Sequence, residues 1–285
     1  MATRPGRPPE PDDARPVRRG GRSDLGPRVL SAIPLIAFAV FIVTQGGLIF
    51  AVSAAGLAIV ALAELYGMMS RVRPVNVAGF IGAAGMIFAA LYGDQLQMLL
   101  ALAATVPIMF LLALVRPWRE HSSWAFAATM FGVAWIGLAF AHAVLLRELP
   151  HGGALLVDTL IGAFVGDTCA YFGGRWWGMR PLAPVISPNK TLEGFLSGIV
   201  GGTLAFWLFA VAYQDWFSGE DALLIGFAVA VAAPLGDLFE SMIKRDLEVK
   251  DTGRIFGPHG GVLDRLDAVF FAVPTAYYMS KLLLF

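Results

Sequence analysis

The residues with the clearest chemical potential lie in one polar stretch, 241–267, which reads SMIKRDLEVKDTGRIFGPHGGVLDRLD. Cationic and acidic side chains alternate along it, and long apolar segments flank it on both sides. Lysine and arginine supply charge and donors to phosphate oxygens, whereas paired carboxylates hold a hard divalent cation. Glycines at 257, 260 and 261 let a ligand approach the backbone closely. The stretch therefore predicts a site for a polyanion, with phosphates held beside a divalent cation.

A simpler interpretation is a solvated loop on the inner side of a membrane, because Lys and Arg are enriched in such loops. That interpretation accounts for the cations of the stretch. It does not account for Asp264 and Asp267, which recur inside the apolar segment that follows. We therefore favour the polyanion site.

The fixed positions of this stretch resemble the signature of the phosphatidate cytidylyltransferases, the CDP-diacylglycerol synthases of phospholipid biosynthesis. The matching strings are Ser241-x-Ile243-Lys244-Arg245, Lys250-Asp251-x-Gly253 and Phe256-Gly257-x-His259-Gly260-Gly261-Val262-x-Asp264-Arg265-Leu266-Asp267. The resemblance extends less sharply over residues 160–285 and is weak before them. It implies a homodimeric, Mg²⁺-dependent nucleotidyltransferase that makes CDP-diacylglycerol from CTP and phosphatidate and releases pyrophosphate.

Composition places the chain in a membrane. Of its 285 residues, 57% are hydrophobic and 15% are charged, and the mean hydropathy is +0.69, which is well outside the range of soluble proteins. The single cysteine, Cys169, excludes an intrachain disulfide and a cysteine-based zinc site. We expect membrane lipids among its partners and no nucleic acid.

Apolar runs divide the chain into nine predicted spans, since a spanning helix needs about 20 apolar residues. They are 29–45, 47–69, 75–93, 96–115, 122–145, 154–172, 193–213, 222–242 and 263–284. With the N-terminus inside, the cytoplasmic segments and Arg265 hold 19 of the 21 Lys and Arg residues, as the positive-inside rule demands. The sequence thus predicts an all-α, polytopic protein of the cell membrane, N-in and C-out, with its active site facing the cytoplasm.

Three regions follow from this pattern. Residues 1–28 are rich in Arg and Pro and poor in apolar side chains, so they predict a disordered cytoplasmic arm. Residues 29–150 form N-terminal transmembrane helices. Residues 151–285 form the catalytic transmembrane region, with cytoplasmic loops at 173–192 and 243–262.

Several acidic residues inside predicted spans are candidates for function, because burial of an Asp costs about 2.5–3.5 kcal/mol at the bilayer centre. They are Glu64, Asp158, Asp167, Asp237, Glu240, Asp264 and Asp267. Asp237 and Glu240 are three apart on one helical face. Asp264 and Asp267 repeat that spacing, so two facing helices can hold a cation between them. We predict Mg²⁺ at Asp237 and Asp264, with a second cation left open. Further ligand candidates are Asp167, Glu240 and Asp267.

The segment from Ser187 to Gly194 reads as a loop that enters a helix, and a helix start offers N–H groups and partial positive charge to a phosphate. A capping box explains the same residues, with Asn189 or Lys190 flanking the helix start and Thr191 and Glu193 in its first turn. Both interpretations can hold together. The family resemblance adds Ser187, Asn189, Lys190 and Thr191 to the substrate-binding residues.

The remaining site residues, apart from Asp237 of the preceding helix, come from the signature itself. We predict catalytic roles for Asp237, Asp264, Lys250, Asp251 and Arg265. We predict substrate binding by Lys244, Arg245, His259, Gly260 and Gly261. Whether Asp251 and His259 orient phosphates or bind cytidine is left open by the sequence.

Two other classes of membrane protein, and a non-catalytic scaffold as a third, fit the sequence less well. A secondary transporter would show repeated halves and unwound helices at mid-membrane, whereas here no repeat is apparent and the charges gather at one face. An alcohol phosphotransferase that consumes CDP-diacylglycerol would carry a D-G-x-x-A-R string, which this chain lacks. A non-catalytic scaffold would need no such charged constellation.

The predicted topology can be tested by labelling. In a Cys169→Ser background, single cysteines placed within 180–190 and 248–256 should react with a membrane-impermeant thiol reagent only from the cytoplasmic side. The Lys/Arg asymmetry is the physical reason. Labelling of either segment from outside intact cells would contradict the topology and the access of CTP.

Overall fold

Helices dominate the computed structural model, which describes residues 37–115, 122–249, 251–253 and 260–285. They run in chain order as residues 37–45 (the described part of α1), Gly47–Met68 (α2), Asn76–Tyr92 (α3), Gln95–Leu114 (α4), Ser122–Gly132 (α5), Leu138–Glu148 (α6), Gly152–Trp177 (α7), Leu192–Tyr213 (α8), Gly219–Asp246 (α9), Leu263–Leu266 (α10) and Val269–Leu283 (α11). A π-helical segment, Val133–Gly137, joins α5 to α6, and a 3-10 turn, Ser70–Val72, follows α2. These elements belong to one unit, Phe38–Phe285.

Six of the described helices are long and apolar enough to cross a membrane. They are Gly47–Met68, Gln95–Leu114, Ser122–Glu148 (α5 to α6), Gly152–Trp177, Leu192–Tyr213 and Gly219–Asp246. Helix α3 is also apolar but has 17 residues. The prediction of a helical, polytopic membrane protein is confirmed. The count of nine spans and the N-in/C-out orientation remain predictions.

The predicted spans agree with the helices to within a few residues, except in two places. The last predicted span, 263–284, is interrupted by a turn at Asp267 and Ala268 that separates α10 from α11. The first span, 29–45, is described only from residue 37, and the predicted arm, 1–28, lies outside the described residues.

The predicted loop 173–192 was wrong in detail. Helix α7 continues to Trp177. Gly173 and Gly174 let its last turns pack closely against Ser197 of α8 and against Thr191, the cap of α8. A hairpin follows, in which Pro181–Ala183 (β1) pairs antiparallel with Ser187–Thr191 (β2). The described fold is therefore helical with one two-stranded hairpin.

Side-chain caps start three of the helices where the chain leaves a loop. Asp94 begins α4 with a complete capping box, in which its carboxylate accepts the Leu96 N–H at 2.7 Å. Ser218 caps α9, and Thr191 caps α8 by accepting the Gly194 N–H at 3.2 Å. Thr191 thus ends β2 and begins α8.

Glycines bring the helices that bear the acidic residues close together. On α7 and α8, a Cβ at Gly198 would meet the Gly166 carbonyl, and one at Gly202 would meet the Gly162 carbonyl. On α9, a Cβ at Gly236 would overlap the carbonyl oxygen of Asp267. Small residues let membrane helices approach to backbone contact. The close approach places α9 beside the turn between α10 and α11.

This packing predicts that Gly236→Ala destabilises the protein. The added methyl must displace the backbone at Asp267, and overpacking of this kind costs about 1–3 kcal/mol. Thermal unfolding of the detergent-purified protein should show a lower midpoint. Gly56→Ala is the matched control, because a Cβ at Gly56 of α2 meets no atom within 4 Å. Equal midpoints for the two variants would contradict the close approach.

Candidate active site

A pocket of about 570 Å³ opens between α7, the hairpin, the start of α8 and α9. Many of its lining residues are polar or ionisable: Asp167, Tyr171, Arg175, Ser187, Asn189, Lys190, Thr191 and Asp237. Six of them were predicted as site residues from the sequence. Asp167 and Tyr171, which share one face of α7, both reach this pocket. The pocket therefore brings the Ser187–Gly194 segment to Asp237 of α9, whereas no described residue of the 241–267 stretch lines it.

An ion pair crosses the pocket from the hairpin to α9. The Lys190 Nζ lies 2.5 Å from Oδ2 of Asp237, and it makes no hydrogen bond within the described part of the chain. Oδ1 of Asp237 accepts a long hydrogen bond from the Ser241 hydroxyl at 3.4 Å. Lys190 therefore neutralises Asp237 in the structure.

Three carboxylates form a cluster next to this ion pair. Asp237, Glu240 and Asp267 each place one oxygen within 4.8 Å of the others. Glu240 is 1% exposed, and its Oε1 has no hydrogen-bond partner in the described part of the chain. Oxygen ligands at this spacing, one of them buried and unsatisfied, fit a hard divalent cation such as Mg²⁺. The cluster is the best candidate metal site among the described residues.

Lys244 links this cluster to the end of the signature stretch. Its Nζ donates to Oε2 of Glu240 and to Oδ1 of Asp264, both at 3.0 Å. Asp264 also accepts from the Thr252 hydroxyl at 2.9 Å and from the Gly261 N–H at 2.8 Å. Asp264 therefore holds Thr252 and Gly261 close to each other. The structure groups Asp237 with Glu240 and Asp267, and gives Asp264 a separate set of partners.

Asp264 lies in α10, outside the six candidate spans, and its surroundings favour the ionised form. Partial burial opposes ionisation, but donors from Gly261, Lys244 and Thr252 outweigh it and lower the pKa of the Asp264 carboxyl. An ionised Asp264 is the form that can accept all of these bonds.

A residue from the N-terminal half also reaches the signature stretch. Glu64, near the end of α2, is 8% exposed and accepts the N–H groups of Val262 and Leu263 at 3.1 and 2.9 Å. Sequence reasoning marked Glu64 as a buried acid but gave it no role in the site. The only sequence feature that pointed to a role for Glu64 was its position in an apolar span.

Comparison with known proteins bears on this arrangement. Residues 26–283 match the cytidylyltransferase family. The chain belongs to this family. Phosphatidate cytidylyltransferase of Staphylococcus epidermidis is 33% identical over 256 residues, which cover 87% of this chain and 95% of that protein. The enzymes of that name from Staphylococcus aureus strain COL and Bacillus subtilis strain 168 are 34% and 31% identical. They align over 87% and 91% of this chain, and over 95% and 98% of their own lengths.

In this cytidylyltransferase-family chain the hairpin is held in place by Arg245, a predicted site residue, and by Glu193. The Nε of Arg245 donates to the Ile186 carbonyl at 3.2 Å. The carboxylate of Glu193 does not close a capping box with Thr191, but accepts the N–H groups of Met179 and Arg180. These contacts fix both ends of the hairpin, so that Lys190 is held over the pocket.

The remaining predictions concern the signature stretch itself. Gly260 has a φ of 80°, a left-handed conformation that favours glycine. Asp251 and Arg265 are exposed. Lys250 and His259 lie outside the described residues, so their predicted roles stay predictions.

The different surroundings of two aspartates predict different effects on stability. Asp264→Asn replaces one carboxylate oxygen, which accepts hydrogen bonds, by an NH₂ group that donates them. At least one present donor then loses its acceptor, so the free energy of unfolding should fall by about 1–3 kcal/mol. Asp237→Asn removes one of three clustered carboxylates and should leave stability nearly unchanged, because relief of repulsion offsets loss of the Lys190 pair. Thermal unfolding in detergent without added divalent cation measures both. Greater destabilisation by Asp237→Asn would contradict this division.

Proposed function

We propose that the chain transfers the cytidylyl group of CTP to phosphatidate and thereby forms CDP-diacylglycerol and pyrophosphate. The observation that carries the proposal is the cluster of buried Glu240 with half-buried Asp237 and Asp267, beside a pocket that contains Lys190. The family and the names of its relatives support the same reaction.

The chemistry is an in-line displacement at phosphorus. A phosphate oxygen of phosphatidate forms a bond to the α-phosphorus of CTP, and the bond from that phosphorus to the oxygen bridging to the β-phosphorus breaks. Pyrophosphate leaves with the electron pair. Because the attacking oxygen is already ionised, no strong general base is needed, and positioning and electrostatic stabilisation account for the catalysis.

The acidic cluster fits Mg²⁺, which we propose is held by Asp237, Glu240 and Asp267. Asp167 lines the same pocket as a further candidate, and Asp264 acts on the cluster through Lys244. A bound divalent cation would offset the charge of the phosphates and of the leaving pyrophosphate.

Cationic groups of the chain would bind the substrate phosphates. Lys190 and Arg175 line the pocket, and Arg175 is oriented by donating to the Tyr171 hydroxyl at 3.0 Å. The first turn of α8, with Gly194 at the pocket wall, adds the partial positive charge of a helix start. We propose that Ser187 and Asn189, on the same strand as Lys190, contact the nucleotide.

Access of CTP requires the pocket to face the cytoplasm. The pocket lies where α7 ends and α8 begins, next to the last turns of α9. The predicted topology puts these ends on the cytoplasmic side of the cell membrane, which supports the proposed reaction. The predicted homodimer and second cation stay predictions.

The proposal is tested with detergent-purified protein, labelled CTP and phosphatidate, by scoring lipid-soluble cytidine nucleotide. Asp237→Asn and Glu240→Gln should each lower the rate by about 10–100-fold or more, as loss of metal-site residues does. Glu220→Gln is the matched control, because Glu220 is exposed in the first turn of the same helix. Absence of product from the wild-type protein would refute the function. Normal rates for Asp237→Asn at limiting Mg²⁺ would refute the metal assignment.

A further inference from the structure

The contact between Glu64 and the signature stretch joins residues 198 and 199 positions apart in the chain. The carboxyl group uses both oxygens: Oε1 accepts the Val262 N–H, and Oε2 accepts the Leu263 N–H. These are donors at the start of α10 that the helix itself leaves without partners. Glu64 thus acts as a cap supplied by a different helix.

Two glycines of the signature stretch make room for the same carboxyl group. A Cβ at Gly253 or at Gly261 would overlap the Glu64 side chain, and the three nearest atoms at each position all belong to Glu64. Neither glycine has a positive φ. Their lack of a side chain is therefore explained by the close approach of Glu64, and not by backbone conformation.

The segment that Glu64 contacts carries two acidic residues of the site. Asp264 follows Leu263 directly and binds Lys244, while Asp267 follows α10 and belongs to the acidic cluster. A displacement of the start of α10 would move both carboxylates relative to α9. Such a displacement matters because catalytic groups must be held to a fraction of an ångström.

We infer that Glu64 is a positioning residue for cytidylyl transfer: it holds Gly253, Gly261 and the start of α10 so that Asp264 and Asp267 face α9. This inference rests on the proposed function. It assigns a part of the active-site scaffold to α2, in the N-terminal half of the chain. Glu64 does not line the pocket and touches no substrate in this role.

Glu64→Gln tests the positioning role by removing one acceptor while keeping the shape. We expect kcat to fall by about 10–100-fold, as it does when groups that orient metal ligands are lost, with the KM values for CTP and phosphatidate changed much less. Glu148→Gln is the matched control, because Glu148 also accepts a backbone N–H, that of Gly47 at 3.2 Å, but lies outside the site. A normal kcat for Glu64→Gln would overturn the inference.

A rescue experiment separates positioning from general stability. Gly261→Ala should lose activity because its methyl meets the Glu64 carboxyl group, and Glu64→Asp withdraws that group by one methylene. The double variant should therefore be more active than Gly261→Ala alone. Gly260→Ala is the control: a Cβ there meets Asp264, and the φ is positive, so Glu64→Asp should not rescue it. The inference would be overturned if Glu64→Asp rescued neither Gly261→Ala nor Gly260→Ala, or if it rescued both.

The same variants distinguish this inference from the proposed function. The assay of the wild-type protein tests whether the proposed reaction occurs. Thermal unfolding without substrate or divalent cation tests the contact between Glu64 and Gly261 independently of that reaction. The Glu64→Asp/Gly261→Ala midpoint should lie above that of Gly261→Ala. If the wild-type protein makes no CDP-diacylglycerol, the reaction is refuted and the unfolding data still decide whether Glu64 fixes the segment. Additive losses of stability would show that it does not.

Discussion

The structure depends on the cost of placing acidic side chains at the ends of apolar helices. Five of them, Asp167, Asp237, Glu240, Asp264 and Asp267, meet around the pocket and its adjoining cluster. Two lysines supply the opposing charge, Lys190 from the hairpin and Lys244 from α9. Because charges separated by low-dielectric surroundings interact strongly, carboxylates and lysines must lie in direct contact. Acids still outnumber these lysines, and this imbalance is what suits the site to a divalent cation.

The same constraint explains why distant parts of the chain meet at the site. Lys190 can reach Asp237 only because the hairpin folds over α9, where Arg245 holds the Ile186 carbonyl. Asp267 can reach Glu240 only because Gly236 lets α9 approach the backbone of the turn after α10. Glu64 then fixes the start of α10 from α2. The site is assembled from several helices, with no single helix supplying it.

Much of this could be predicted from sequence, and the limits have physical causes. Apolar run lengths predicted the helices, and acids inside those runs included all three members of the acidic cluster. The sequence favoured Asp264 as the partner of Asp237, whereas the structure places Asp267 in the cluster with Asp237 and gives Asp264 to Lys244. Both acids lie on one helical face, so their spacing alone could not decide between them. The hairpin carries no alternating apolar pattern, so periodicity could not reveal it. The contact of Glu64 with Leu263 spans most of the chain, and local spacing carries no information about such pairings.

The ion pair of Lys190 and Asp237 shows how one residue can meet two opposing requirements. An unpaired lysine in this half-buried pocket would be costly, yet binding a polyanion requires a cation that can face the ligand. Pairing Lys190 with Asp237 satisfies the first requirement in the free protein. Under the proposed function, an incoming phosphate offers Lys190 a second anionic partner within the same pocket. If Lys190 exchanges Asp237 for the phosphate, its charge is balanced both before and after the substrate binds. Asp237 is then available to the acidic cluster when the substrate is present. The hairpin that carries Lys190 is therefore as much a part of the site as the helices that carry the acids.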